Sequence, residues 1–126
     1  SLKNVTIEAC KLMGIAFEYC EDFLFEVKFN DCVLDFSSFA NKKMAKTKFT
    51  KCSMQDVNFA GTNLLKTVFE EVNLNGASFE RTNLTEADLS KAFNFSIDPE
   101  NNVIKKAKFS LKDAGGLLEK YNLKLV

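Results

Sequence analysis

Few residues in this 126-residue chain are of a type that does chemistry, and their spacing is wrong for most of it. Cysteines stand at positions 10, 20, 32 and 52, with no CxxC pair and no histidine anywhere to complete a zinc site. The missing histidine also removes the commonest general base near neutral pH. Glu70 and Glu71 form an acidic pair with no base beside them, which reads as solvated surface. Neither a G-x-G-x-x-G nor a P-loop pattern occurs. N-x-[ST] triplets begin at Asn4, Asn83 and Asn94, but Asn83 belongs to a structural repeat, so they do not read as glycosylation sites. The expectation is a protein that is not an enzyme, with no catalytic residues, no metal and no cofactor.

Charge offers a different kind of candidate. Lys and Arg total 17 and Asp and Glu total 17, a balance that argues against a long nucleic-acid footprint and against the acidic surface of a DNA mimic. Locally the balance fails. Lys42, Lys43, Lys46, Lys48 and Lys51 fall within ten residues that contain no acid, just after Glu18, Glu21, Asp22, Glu26, Asp31 and Asp35. Lys43, Lys46, Lys48 and Lys51 are candidates for a salt-sensitive contact with phosphate or an acidic protein. The competing reading is solubility and protection of strand edges. No apolar run reaches the roughly 18 residues of a membrane helix, and no secretory signal opens the chain.

What must position these groups follows from one periodicity. Stepping by five from Phe29 gives Phe29, Leu34, Phe39, Met44, Phe49, Met54, Phe59, Leu64, Phe69, Leu74, Phe79, Leu84 and Leu89, all Phe, Leu or Met. Two residues before each lies a second series, Val27, Cys32, Ser37, Lys42, Thr47, Cys52 and onward to Ala87, small at every place but Lys42. Steps of five build no face on an α-helix and alternate faces on a flat strand. Residues two apart on a short extended piece do point the same way. A corner after each piece, and four pieces per circuit, make a square coil of twenty residues whose coils stack about 4.8 Å apart. Phe29, Phe49, Phe69, Leu89 and Phe109 then form one column and Phe39, Phe59 and Phe79 the opposite one, with Leu and Met columns between.

The segments Thr62-Asn63-Leu64, Val72-Asn73-Leu74, Thr82-Asn83-Leu84 and Ala87-Asp88-Leu89 fit A(D/N)LXX, and the pattern resembles the pentapeptide-repeat family. That resemblance implies an all-β fold, the right-handed quadrilateral β-helix. The run SIDPENN with KKAKFS and LLEKY is similar to the C-terminal part of such proteins common in bacteria, some related to Qnr-type topoisomerase-protecting proteins. In those relatives the C-terminal element builds a dimer and an acidic, duplex-like surface engages DNA gyrase. The resemblance therefore implies a protein-binding or scaffold module, with a gyrase-binding DNA mimic as the alternative and a homodimer through the C-terminal helix. The acidic surface is not matched here.

The expected layout is a single solenoid domain over 1–126, with regular repeats at 27–91, an irregular excursion at 93–106 and a cap at 111–126. Ile7, Leu12 and Phe17 are five apart but two residues out of phase with the later series, so two extra residues must bulge near 20–26. Phe23 and Phe25 crowd that bulge, either as a repaired register or as a recognition site. The excursion reads as two short strands around Pro99, replacing one coil's sides. Asp113 is expected to cap a short helix carrying Leu117, Leu118 and Tyr121, and 122–126 to add an edge strand. Lys42 should turn outward, because a buried ammonium is costly, and distort the corner 41–43. Cys10, Cys32 and Cys52 take small inward slots; buried free thiols suggest a reducing cytoplasm, and a Cys32–Cys52 disulfide would strain the ladder. With no lid before Val5, the natural chain is expected to extend upstream.

Overall fold

The computed structural model describes residues 5–20 and 27–126. Six short strands lie in sequence order in one parallel sheet: β1 (Thr6–Glu8), β2 (Lys28–Asn30), β3 (Lys48–Thr50), β4 (Val68–Asn73), β5 (Asp88–Phe93) and β6 (Lys108–Phe109). Phe29 pairs with Phe49 and Phe49 with Phe69, so the chain completes a circuit in twenty residues. The other three sides keep the same offset through parallel bridges, Ser53 with Asn73, Asn58 with Ser78 and Asn63 with Asn83. These four sides are those of the right-handed quadrilateral β-helix, the hand that parallel crossovers favour.

Ring stacking fixes the interior. Phe29, Phe49 and Phe69 stack at centroid separations of 5.1 and 5.2 Å, and Phe39, Phe59 and Phe79 at 5.7 and 5.2 Å. Across the lumen the two columns meet edge to face, as in Phe49–Phe59 at 6.4 Å and Phe59–Phe69 at 6.0 Å. Offset stacking along the axis and T-shaped contact across it are the two favoured aromatic geometries. Leu34, Met54, Leu74, Met44, Leu64 and Leu84 fill the intervening columns without exposure.

The small inward series does more than save space. Thr62 Oγ1 donates to the Phe39 carbonyl at 2.9 Å, Thr67 Oγ1 to Met44 at 3.0 Å and Thr82 Oγ1 to Phe59 at 2.7 Å. Each hydroxyl thus reaches the carbonyl of a large residue in the coil before it, and a buried polar group is satisfied. Asparagines one place before the large residue act locally: Asn58 Oδ1 accepts from the Ala60 amide at 2.9 Å and Asn63 Oδ1 from Leu65 at 3.1 Å. Such Asx turns lead the chain into each corner. The corner residue then takes positive φ even without glycine, as at Asn41 (61°), Lys46 (65°) and Lys66 (56°). Its amide offsets that strain by bonding the next coil, Asn41 N to Ala60 O at 2.9 Å and Lys66 N to Thr85 O at 2.9 Å.

Both ends depart from this pattern. Upstream, Ile7 pairs with Phe29, Lys11 with Val33 and Ala16 with Ser38, an offset two residues longer that matches the phase read from sequence. The Phe17 ring stacks on Phe39 at 4.6 Å. The expected bulge, with Phe23 and Phe25, lies outside the described residues. Downstream, the β4–β5 register shifts between Val68 and Val72; Asn94 takes positive φ and Phe95 turns into the core. The stretch around Pro99 forms turns rather than two strands, with Val103 alone bridging to Asn83. Register returns at Leu89–Phe109, so the excursion does replace one coil's sides.

The cap consists of two short 3-10 turns, Ala114–Leu117 and Glu119–Tyr121. Glycine is required where it packs: a Cβ on Gly116 would lie 2.3 Å from the Phe95 carbonyl oxygen and 2.8 Å from its ring. Asp113 does not cap the first turn through its side chain; its carboxylate instead accepts from Ser110 Oγ at 2.9 Å. Residues 122–126 form no strand and are exposed, because no neighbouring edge pairs with them.

Candidate interaction surface

The expectation for Lys42 is overturned. Lys42 is 5% exposed, in the inward slot its place in the repeat assigns, and its ammonium donates to the Cys20 carbonyl. The corner beside it is regular: Lys42 N bonds Phe39 O at 3.0 Å and Asn41 has the usual positive φ. Burial is tolerated because that slot faces a backbone acceptor in the coil before it, as the threonine slots do.

The other four lysines wrap one coil level. Lys43 stands before Met44 on one side, Lys46 at the next corner, Lys48 in β3 and Lys51 at the corner after it. Lys43, Lys46 and Lys51 are exposed. Lys48 bonds loosely to Glu70 at 3.8 Å, and Glu70 also pairs with Lys91 at 3.4 Å. Among the described residues no carboxylate lies in ion-pair range of Lys43, Lys46 or Lys51. Coil stacking adds two cations that proximity in sequence did not suggest: Lys66 lies one coil below Lys46, and Lys28 pairs directly with Lys48 across β2–β3. Adding twenty to 46 would have found Lys66. The next corner differs, since Asp31, Lys51 and Glu71 alternate in sign down the stack, and Lys91 pairs with Glu70 in the shifted β4–β5 register. The basic edge is therefore Lys43, Lys46, Lys66, Lys28 and Lys48.

The remaining polar clusters are structural. Lys120 Nζ lies 2.6 Å from Glu100 Oε1 and 3.0 Å from Asp98 Oδ1, while Tyr121 donates its hydroxyl to Glu100 at 2.7 Å. The Glu100 amide and then Lys120 hold the Asp98 carboxyl below its ordinary range; Lys120 and Tyr121 do so for Glu100. Burial pushes Asp88 upward, but hydrogen bonds from the Ser90 hydroxyl and amide, with Lys108 and Lys91, outweigh it and leave the carboxyl lowered.

All four cysteines are free thiols. Burial, reinforced by Cys32, pushes the Cys52 thiol up to about 11, against hydrogen bonding to backbone. Among the described residues no three metal-ligating side chains converge on a point. Two depressions mark the described surface. One of about 480 Å³ lies between Gly115, Leu118, Glu119, Asn122, Leu123 and Leu125. Another, of about 560 Å³, is lined by Glu8, Asn30, Asp31, Thr50 and Lys51.

A coil of twenty residues, plugged by stacked rings and turned by Asx corners, is a family signature. The Pentapeptide repeats model matches residues 28–64 and 63–93 in eight copies. The chain belongs to the pentapeptide-repeat family. Among solved structures it is similar to HetL, a pentapeptide-repeat protein involved in heterocyst differentiation regulation from the cyanobacterium Nostoc, with a TM-score of 0.66 and 15% identity over 87% of this chain and 41% of HetL. The chain thus spans about two fifths of that relative, and the likeness shows the fold. It is also similar to Rfr23 from the cyanobacterium Cyanothece (TM-score 0.48, 16% identity, 87% of this chain and 84% of that one). QnrB1, a plasmid-mediated fluoroquinolone resistance protein, matches at TM-score 0.39 and 17% identity over 99% of this chain and 91% of that one. No curated protein sequence matches. Among the described residues no helix is long and apolar enough to cross a membrane.

Proposed function

We propose that this pentapeptide-repeat chain is a non-enzymatic protein-binding module whose rigid outer wall presents a lysine edge to an acidic partner protein. The observation that carries this reading is the alignment of Lys43, Lys46, Lys66 and Lys28 along one edge of a rod whose inward positions are consumed by packing. A repeat rod recognises partners through its surface, and clustered cations in register accelerate association with an acidic one. A reducing compartment such as the cytoplasm suits the reading, because Cys32 and Cys52 are held as buried thiols. The exposed Tyr121, Leu123 and Leu125 on the cap favour self-association into a homodimer there.

The test is capture of partners by the natural full-length protein at low and high salt, beside a Lys43→Glu/Lys46→Glu/Lys66→Glu variant. A partner retained at low salt, released by salt and lost with the variant supports the proposal. Capture indifferent to both would sink it. Inhibition of gyrase supercoiling by the same protein would support the topoisomerase-binding alternative instead.

A further inference from the structure

We propose that Asn75 is a site of spontaneous deamidation through a cyclic imide, opened by the break in coil register beside it. Asn75 is the one asparagine in the chain followed by glycine, and it is exposed at a corner. Imide closure requires the next residue's amide nitrogen to reach the asparagine side-chain carbon. A glycine there offers no Cβ to obstruct the approach, and an amide already bonded elsewhere is withheld from it.

Corner amides in this solenoid are ordinarily withheld. Asn41 N bonds Ala60 O, Asp56 N bonds Asn75 O, Gly61 N bonds Glu80 O and Glu86 N bonds Lys105 O, each at 2.8–2.9 Å. The Gly76 amide occupies the same place in its pentad and donates to no protein acceptor among the described residues. Its acceptor by register would be the Phe95 carbonyl. In the irregular turn after Phe93, Asn94 takes φ of 62°, Phe95 swings inward, and the Phe95 oxygen faces Gly116 instead. Glycine also eases this corner, although Asp56 and Phe36 reach positive φ without it one and two coils away. Gly76 has φ of 74°, and a Cβ would lie 2.2 Å from Asp56 Oδ1. The fold therefore accommodates the reactive pair while leaving its nucleophile unbonded.

The chemistry is self-contained. The Gly76 nitrogen loses its proton to solvent base and attacks Asn75 Cγ. The new N–C bond closes a five-membered imide, and the side-chain nitrogen leaves as ammonia. Water then opens the ring at one of two carbonyls. One route leaves aspartate; the other leaves isoaspartate, with an extra methylene in the main chain. Either product adds a carboxylate near Asp56, and isoaspartate displaces the Asn75 carbonyl that holds the Asp56 amide at 2.9 Å.

The experiment holds the folded protein for days in mildly alkaline buffer, beside a urea-unfolded sample and an Asn75→Gln variant. Acidic-pH proteolysis and mass spectrometry with isoaspartyl labelling then give the site. The expected result is conversion confined to residue 75, at a folded rate within about tenfold of the urea rate, and abolished by Asn75→Gln. Asn63, whose following amide (Leu64) bonds Asn83 O at 2.7 Å, is the internal control. Asn75 surviving intact in the folded protein while the unfolded chain converts, or Asn63 converting as fast, would overturn the proposal.

Discussion

The ammonium of Lys42 and the carbonyl of Cys20 are hydrogen-bonded inside the solenoid, one coil apart, with Lys42 5% exposed. The pair occupies the column where Thr62 and Thr82 make the equivalent bond to the coil before them. A hydrogen bond from a charged donor contributes about 1.5–3 kcal/mol net, and leaving the acceptor unpaired costs a comparable amount. Lys42→Ala should therefore destabilise the protein by roughly 1–3 kcal/mol. Urea unfolding checks this; a change below about 0.5 kcal/mol, the ordinary range of surface substitutions, would mean the bond adds nothing.

Truncation inside the ring stack should be more severe. Phe59 touches Phe39 and Phe79 along its column and Phe49 and Phe69 across the lumen. Phe59→Ala should cost about 3–5 kcal/mol, since fixed coil spacing prevents collapse into the void. Exposed Lys46→Ala should stay within about 0.5 kcal/mol. Equal, mild effects in chemical denaturation would contradict the inward packing.

The hydroxyl ladder can be probed without changing shape. Thr82→Val keeps the volume and removes the donor to the Phe59 carbonyl. A loss of roughly 1 kcal/mol is expected, because a buried acceptor loses one partner. Thr6→Val, at an exposed position of β1, serves as the control, and a Thr82→Val variant as stable as the parent would refute the ladder's contribution.

The cap should loosen in acid. Asp98 and Glu100 have carboxyls lowered in the folded chain, mainly by the Glu100 amide and by Lys120 respectively. Their contribution is present above the ordinary carboxylate range and is lost as pH falls through the lowered folded values. These groups are exposed, so the effect should be local rather than global. Hydrogen exchange at 114–121, taken relative to the intrinsic amide rate at each pH, should accelerate on acidification while the amides of β3 and β4 stay protected. Lys120→Ala should accelerate it at neutral pH.

Thiol reactivity should follow depth. Cys20 is exposed, whereas Cys52 is buried with its thiol pushed up to about 11. Because thiolate is the reactive form, alkylation at neutral pH should label Cys20 in the folded protein and Cys52 only after unfolding. A folded pKa raised above the ordinary 9.0 gives stability that is full below that value and falls as pH rises toward about 11. Cys52→Ala should flatten that alkaline decline.

Much of this was legible in sequence because the repeat is a packing rule. The Phe columns, the twenty-residue circuit and the two-residue offset of Ile7, Leu12 and Phe17 all follow from which side chains must stack. Lys42 was misread because its burial was weighed as desolvation alone, without the acceptor that the preceding coil supplies. Lys66 was missed because nearness along the chain was used where nearness across coils governs. The cap departed from an α-helix because Gly115 and Gly116 disfavour one and Gly116 packs against Phe95, a contact no local pattern encodes. Where Phe23 and Phe25 sit remains beyond the described residues.

The constant Phe29–Phe49–Phe69 offset also governs which lengths of chain are interchangeable. Excising one whole circuit would bring like onto like at the splice, shortening the rod by a storey while every column stays continuous. Removing a single residue would rotate each later side chain out of its socket. Natural or engineered variation in rod length should therefore come in quanta of whole storeys, as bricks are laid by the course.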